Sequence, residues 1–320
     1  MRVLVTGSSG WLGRFLVPEL IRRGHYVVGL DVVPGPDTTV VASVADKKEV
    51  ERAFSDHQIE AVLHAGGLHK PDIARFPTQA FIDVNVTGTL NLLEAASAYN
   101  HDRFVFTSTT SLMVTQAIRE EVASTAVWLD EDSGPLAPRN IYGVTKLAAE
   151  HLCRMQFLSH RLNCIILRTS RFFPENDDTL TALPGENLKA NEFLHRRLSV
   201  EDAARAHVAA LEQAPAIGFG TFIISAPTPF RREEAAALRS DAPAVISRLF
   251  PDAAELYKKR GWSLPKTISR VYDSGRARTE LGFTCQTDFA AILEALRQNA
   301  PLPFAHDPDF VSPVVNSVAF

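Results

Sequence analysis

Residues 1–31 constrain the fold more than any other stretch of this chain. An apolar strand at 3–5 runs into Gly7, Gly10 and Gly13, an amphipathic helix follows to about residue 23, and a second strand at 25–30 ends at Asp31. Glycines in such a turn let it tighten, let backbone N–H groups approach a pyrophosphate, and let the helix pack close to the strand with its N-terminus facing the anion. Ser9, Trp11 and Leu12 lie inside the same turn and join the glycines as candidate contacts. Each glycine alone is a weak signal; strand, glycines, helix and second strand in that order are a strong one. A carboxylate at Asp31 is placed to accept hydrogen bonds from both ribose hydroxyls and to repel a 2′-phosphate. No Lys or Arg occurs between Asp31 and Asp46 to attract that phosphate, so the expected cofactor is NAD rather than NADP.

The same alternation continues. Strands are expected at 27–30, 40–42, 61–64, 104–107, 163–168 and 221–225, and helices at 47–54 (capped by Asp46), 81–98, 141–157 and 200–213. Strands alternating with helices imply an α/β fold with a doubly wound parallel sheet. Two stretches break the rhythm, 169–198 and the Pro- and Arg-rich 226–269. They predict a smaller C-terminal substrate lobe over the carboxyl ends of the strands, where such sheets bind ligands. The expected division is a nucleotide-binding domain at 1–170, to which 199–225 returns, and a substrate lobe at 171–198 and 226–320.

Charge is nearly balanced, with 33 Lys+Arg against 37 Asp+Glu. That gives no reason to expect a nucleic-acid or anionic-membrane partner. No run of about 20 apolar residues is present for a membrane span, and no basic leader precedes the first strand. The three cysteines, Cys153, Cys164 and Cys285, are too widely spaced for a metal site or a disulfide framework. The expectation is a metal-free enzyme in a reducing cytoplasm.

Tyr142 and Lys146 stand four apart in Ile-Tyr-Gly-Val-Thr-Lys. On a helix they share one face. An ammonium beside a phenol stabilises the phenolate and lowers its pKa from about 10 toward working pH. The spacing alone also describes an ordinary amphipathic helix. Its place downstream of the glycine turn and of the Ser/Thr-rich strand end at 104–109 makes Tyr142 a candidate acid/base for a substrate hydroxyl.

These motifs together resemble the extended short-chain dehydrogenase/reductases, the NAD-dependent epimerase/dehydratase group, along nearly the whole chain. The matching landmarks are the glycine turn at 6–13, Asp31, His64-Ala-Gly-Gly67, Asn85-Val-Thr-Gly88, the strand ending at Thr109, Tyr142 with Lys146, Arg168, the stretch 199–207 and the closing motif at 276–283. The resemblance implies a Rossmann fold and a homodimer paired through the helices at 81–98 and 141–157. It implies that Thr109 hydrogen-bonds the reacting oxygen, Tyr142 exchanges its proton, Lys146 holds the nicotinamide ribose, and Asn85 supports the lysine. Ala65, Gly66, Gly67 and Arg168 join the cofactor set. The adenine-contacting acid of many relatives aligns with Ser43, so that contact falls to backbone near Ser43 and Val44, while Asp46 reads as a helix cap.

Other positions subdivide the group. Thr109 is followed by Thr110 and Ser111, not by the Asp-Glu pair that eliminates water in sugar-nucleotide dehydratases. Some thirty residues separate Arg168 from Ser199, little room for a nucleotide-diphosphate clamp. A smaller polar or anionic substrate such as a sugar, sugar acid or small polyol fits better, in the style of uronate dehydrogenases. Arg171, just past a strand end, offers a guanidinium fork for a carboxylate, with His69, Lys70, Thr110 and Arg197 as further substrate contacts. Net oxidation by NAD is the first reading. A nucleotide-sugar epimerase that recycles bound NAD is the alternative, and a catalytically silent dinucleotide sensor is a third.

Overall fold

A computed structural model describes residues 1–177 and 182–313. Nine strands are present among them: β1 (Arg2–Thr6), β2 (Tyr26–Asp31), β3 (Val40–Val41), β4 (Ala61–His64), β5 (Phe104–Thr109), β6 (Val127–Leu129), β7 (Cys164–Thr169), β8 (Phe219–Ile224) and β9 (Arg270–Tyr272). Seven form one sheet in the order β3-β2-β1-β4-β5-β7-β8, every pairing parallel. Strand order reverses between β1 and β4, so the helices after these two strands leave to opposite faces and open a crevice at their carboxyl ends.

Alternation along the strands sorts the core into two layers. Val3, Val5, Val105, Ile165 and Leu167 face the helices Gly13–Arg22 and Val200–Ile217. Leu4, Val28, Val62, Phe104 and Phe106 face the helices Lys47–His57, Gly88–Ala98 and Ile141–His160. A third apolar cluster joins Phe193 and Leu194 to Leu238, Ile246, Tyr257, Phe289 and Ile292, with Ala126 beside the short β6. β6 pairs in parallel with β9, a two-stranded sheet without a periodic sequence signal to announce it.

Two helices depart from expectation. The segment read as one helix at 81–98 consists of Thr78–Phe81, a π-helical stretch Ile82–Thr87 and Gly88–Ala98. The wider turn holds Asn85, whose side chain is tied to a neighbouring loop, and such π-turns concentrate at functional sites. The helix at 200–213 continues to Ile217 and stops at Gly218, whose φ is +76°. Among the described residues no helix is long and apolar enough to cross a membrane.

Candidate active site

A cavity of about 670 Å³ lies at the carboxyl ends of β1, β2, β4, β5 and β7. Its first half is built from backbone. Gly7, with φ +74°, sits so close to the β4 turn that a Cβ there would come within 2.8 Å of Gly66 Cα, and a Cβ on Gly66 would lie 2.9 Å from Gly7 N. Only glycine at both positions lets the two turns pack this closely. Gly10, Trp11, Leu12, Ser43, Val44, Ala65 and Gly67 complete the wall. Asp31 accepts hydrogen bonds from the N–H groups of Ser9 and Val33, both at 3.0 Å. Burial pushes its pKa up, against the pull of those donors.

Ser9 and Gly13 stand behind this wall rather than in it. The Ser9 N–H serves Asp31 and its hydroxyl donates to Val33 O, while Gly13 lets the helix pack where a Cβ would come within 2.2 Å of Gly7 O. Beneath the turn, Gly66 N–H donates to Thr6 Oγ1 (2.9 Å), which lies 2.7 Å from His64 Nδ1. His64 Nε2 is 3.0 Å from Thr89 Oγ1, and the Thr89 hydroxyl donates to Asn85 O. With the Thr89 proton committed, Nε2 donates, and in the neutral ring Nδ1 accepts from the Thr6 hydroxyl. Burial agrees, pushing the His64 pKa down to about 3.

The second half is built from side chains. Thr109 closes β5, and Asn140 caps the helix Ile141–His160 by accepting from Gly143 N–H at 2.9 Å. That cap, two residues before Tyr142, starts the helix and puts the Tyr142 phenol in the same cavity wall as Thr109, whose hydroxyl favours the ionised phenol. One turn on, Lys146 donates to Thr107 O at 2.8 Å and lies 4.7 Å over the Phe106 ring. The lysine therefore does not depress the phenol as the spacing had suggested. Burial raises the Tyr142 pKa to about 12, with the Thr109 hydroxyl pulling it down and Asp72 pushing it up. Burial also brings Lys146 down to about 8. Asn85 lies behind the wall, accepting from Leu68 N–H and donating to Leu68 O and Thr145 Oγ1.

Five of the six candidate substrate contacts line the cavity: His69, Lys70, Thr109, Thr110 and Arg171. His69 is held by Asp72 (2.6 Å) and stacked on Phe173, and Arg171 is paired with Asp177 and, at 3.6 Å, with Glu192. Arg197 is a correction. It is buried, bonded to Glu192 at 2.9 Å and to Phe173 O, and it is Arg196 that reaches the wall. Arg168 is a second correction. Its guanidinium leaves the cavity for a two-point bond with Glu150 (3.0 and 2.7 Å) under the helix of Tyr142, because the side chain sits on the sheet face that this helix covers. Sequence reasoning missed Ser108, Arg119, Arg139, Arg270, Tyr272 and Phe310, which also line the cavity. Arg139 stands three residues before Tyr142 and was detectable by position. Arg270 and Tyr272 lie on β9, where no motif marks them.

A switch-point cleft closed by glycines, an acid at the end of β2 and a Thr-Tyr-Lys set at the mouth define a dinucleotide-binding fold of the dehydrogenase type. The chain belongs to the NAD dependent epimerase/dehydratase family, whose sequence model matches residues 3–223. It is 31% identical over 170 residues to UDP-glucose 4-epimerase 2 of Oryza sativa subsp. japonica, covering 48% of this chain and 40% of that protein. It is 27% identical over 242 residues to dTDP-glucose 4,6-dehydratase of Neisseria meningitidis serogroup B, covering 64% of this chain and 66% of that protein. The chain spans less than half the length, 40% to 48%, of five of the epimerases among these curated relatives. A short-chain dehydrogenase/reductase superfamily protein from Agrobacterium tumefaciens with bound NAD superposes with a TM-score of 0.65 at 25% identity, over 93% of this chain and 98% of that one. The residues present fit NAD: Gly7, Gly10, Gly66 and Gly67 line the cavity with bare backbone that a pyrophosphate would approach, and the Asp31 carboxylate lines the same cavity.

Proposed function

We propose that this chain is an NAD-dependent oxidoreductase acting on a secondary alcohol of a sugar, sugar acid or similar small polyol. One observation carries the reading: Thr109, Tyr142 and Lys146 line the same cavity that Asp31 and the glycine turn open. Bound NAD supplies the hydride acceptor. The chain's own groups do the rest. Thr109 orients the substrate oxygen, Tyr142 exchanges its proton, and Lys146, held by Thr107 O, fixes the ribose. Gly7, Gly10, Trp11, Leu12, Ser43, Val44, Ala65, Gly66 and Gly67 hold the dinucleotide, and Asn85 braces the loop above Lys146. In this reading residues 1–170 and 199–225 form the nucleotide-binding domain, and 171–198 with 226–320 the substrate lobe; 178–181 and 314–320 lie outside the described residues. A homodimer belongs to the proposal, supported by Val144, Met155 and Leu158, which leave one face of the helix Ile141–His160 exposed and apolar.

A second reading, an epimerase that returns the hydride to the same substrate, is favoured by the epimerases among the relatives. Near-ultraviolet absorbance of the protein with NAD or NADP, across sugars, uronic acids and hydroxy acids, separates the two. Net reduction of NAD by one substrate, lost in Tyr142→Phe, is the expected result. Tightly retained cofactor without net reduction would transfer the proposal to the epimerase. A Tyr142→Phe protein with undiminished biological effect would leave only a silent sensor.

A further inference from the structure

The carboxylates of the cavity wall are unevenly distributed. Asp72 serves His69 and Arg75, Asp177 serves Arg171, and Glu192, just behind, is shared by Arg171, Arg196 and Arg197. Glu175 acts on Arg171 and Arg197. Three further arginines of the wall, Arg119, Arg139 and Arg270, have no carboxylate within ion-pair distance among the described residues. Arg119 and Arg139 stand exposed at the rim, and Arg139 Nε donates to Val114 O at 3.1 Å. Arg270 is different. It is only 8% exposed, and its buried Nε has no hydrogen-bond partner. A buried guanidinium without an anion is costly, so such a group is found paired or facing a ligand that pairs it.

The three come from separate elements: the helix Gln116–Arg119, the segment before the Asn140 cap, and β9. They are nevertheless close enough that Arg119 and Arg270 both act on Arg139, lowering its pKa after burial has done so first. Arg196, whose Nε is also unpartnered, feels Arg270 from the other side. His195, between these groups, donates from Nδ1 to Arg270 O at 2.8 Å and adds no compensating charge.

Resting on the reading above, we propose that Arg270, with Arg139 and Arg119, forms a subsite for a terminal phosphoryl group of the substrate, a phosphomonoester of a sugar or polyol. A phosphomonoester brings nearly two negative charges and three acceptor oxygens at neutral pH, which guanidinium forks bind at two points each. A carboxylate brings one charge and two oxygens and leaves most of this cluster uncompensated. Arg139 lies three residues before Tyr142, so a phosphoryl group held there sits beside the start of the catalytic helix and sets which carbinol reaches the phenol.

The test is calorimetric titration of the full chain, saturated with NAD so that the glycine turn is filled, with inorganic phosphate, acetate and uridine diphosphate as probes. The expected result is saturable phosphate binding, weakened about tenfold or more in Arg270→Gln, since loss of one charged partner costs at least about 1.4 kcal/mol, and weakened to a lesser degree in Arg139→Gln. Affinity for NAD stays unchanged in both. Phosphate binding equal in the wild type and Arg270→Gln overturns the proposal, as does acetate binding as well as phosphate. Uridine diphosphate binding far more tightly than phosphate through the same arginines also overturns it, assigning the cluster to a nucleotide diphosphate. If Arg270→Gln does not fold, the exposed Arg139→Gln decides, and unchanged phosphate affinity in it refutes the subsite. The two readings stay separable: Tyr142→Phe must keep phosphate affinity, and a wild type that binds phosphate yet reduces no NAD with any sugar or polyol phosphate counts against the redox reading alone.

Discussion

The two halves of the cavity are made of different material. Around β1, β2 and β4 the wall is backbone, shaped by glycines that touch one another and by an acid whose oxygens are met by N–H groups. Around β5, β7 and β9 it is side chain: a phenol, a lysine, hydroxyls and arginines drawn from elements more than a hundred residues apart. Trp11 joins the halves, donating from its indole to Phe172 O at 3.2 Å and packing edge-on against Phe310. A backbone wall fixes the shape of a common ligand, whereas a side-chain wall changes its preferences by single substitutions. Substitutions in the two halves therefore have separable effects.

The largest separation is expected at Tyr142. Tyr142→Phe removes the proton-transferring oxygen and nothing from the glycine cleft, so turnover falls by roughly a thousandfold while NAD affinity, read by fluorescence titration, stays within about twofold of wild type. Parallel loss of NAD affinity would mean that the halves are not independent.

Next comes the layer under the catalytic helix. Arg168 and Glu150 are 6% exposed each and bonded at two points, and the Ser108 hydroxyl donates to the same carboxylate. Arg168→Ala leaves a buried carboxylate without its cation, at a cost of about 3–5 kcal/mol. Urea unfolding should show that loss with NAD specificity unaltered. A stable Arg168→Ala protein with altered cofactor binding would return Arg168 to the cofactor set, where its sequence position had placed it.

How much of this was legible follows the same division. The strand ends, the glycine turn, Asp31, Thr109, Tyr142 and Lys146 are each marked by a local pattern, because backbone turns and helix faces are read from neighbours in sequence. Arg270 and Tyr272 carry no such mark, since they reach the cavity only through the pairing of β6 with β9, partners 143 positions apart at Val127 and Arg270. Arg168 and Arg197 failed for a finer reason. Being next to a wall residue does not say which way a side chain turns, and buried carboxylates at Glu150 and Glu192 drew both guanidinia inward. The phenol was misjudged because spacing shows proximity to the lysine but not the burial that outweighs it.

Acid stability compares the two halves through their histidines. His64 lies under the glycine turn, His195 under the arginine cluster, and His207 behind β5, where it accepts from Thr107 Oγ1 (2.7 Å) and donates to Ala203 O (2.7 Å). Burial pushes them down to about 3, 3 and 4. Their folded pKa values lie below the unfolded value of about 6.5, so the unfolded chain binds more protons between those limits and stability falls as pH drops from about 6.5 toward 3. At pH 5 each ring costs about 2 kcal/mol relative to pH 7. Urea midpoints at the two pH values measure the sum, and His64→Asn should reduce it by roughly one third. An unchanged pH dependence in that variant would show that His64 protonates with the chain still folded.

The smallest effect is the most specific. Asp31 faces the cavity from β2 and also braces the turn by accepting from Ser9 and Val33 N–H groups. Asp31→Asn keeps one acceptor oxygen for the brace but removes the negative charge that opposes a 2′-phosphate. The expected outcome is a shift of about tenfold in the NADP-to-NAD affinity ratio, about 1.4 kcal/mol, with a modest loss of thermal stability because the new amide NH2 faces one of the two N–H donors. A variant that loses stability and leaves the ratio unchanged would make Asp31 a brace alone, and cofactor choice would then belong to the 2′-side residues beyond it. The arginine-free stretch from Val32 to Ala45 argues against that outcome, because it offers a 2′-phosphate no cation even when the acid is gone. For the same reason the shift should arise more from weakened NAD binding than from strengthened NADP binding, and separate titrations of the two cofactors distinguish these contributions.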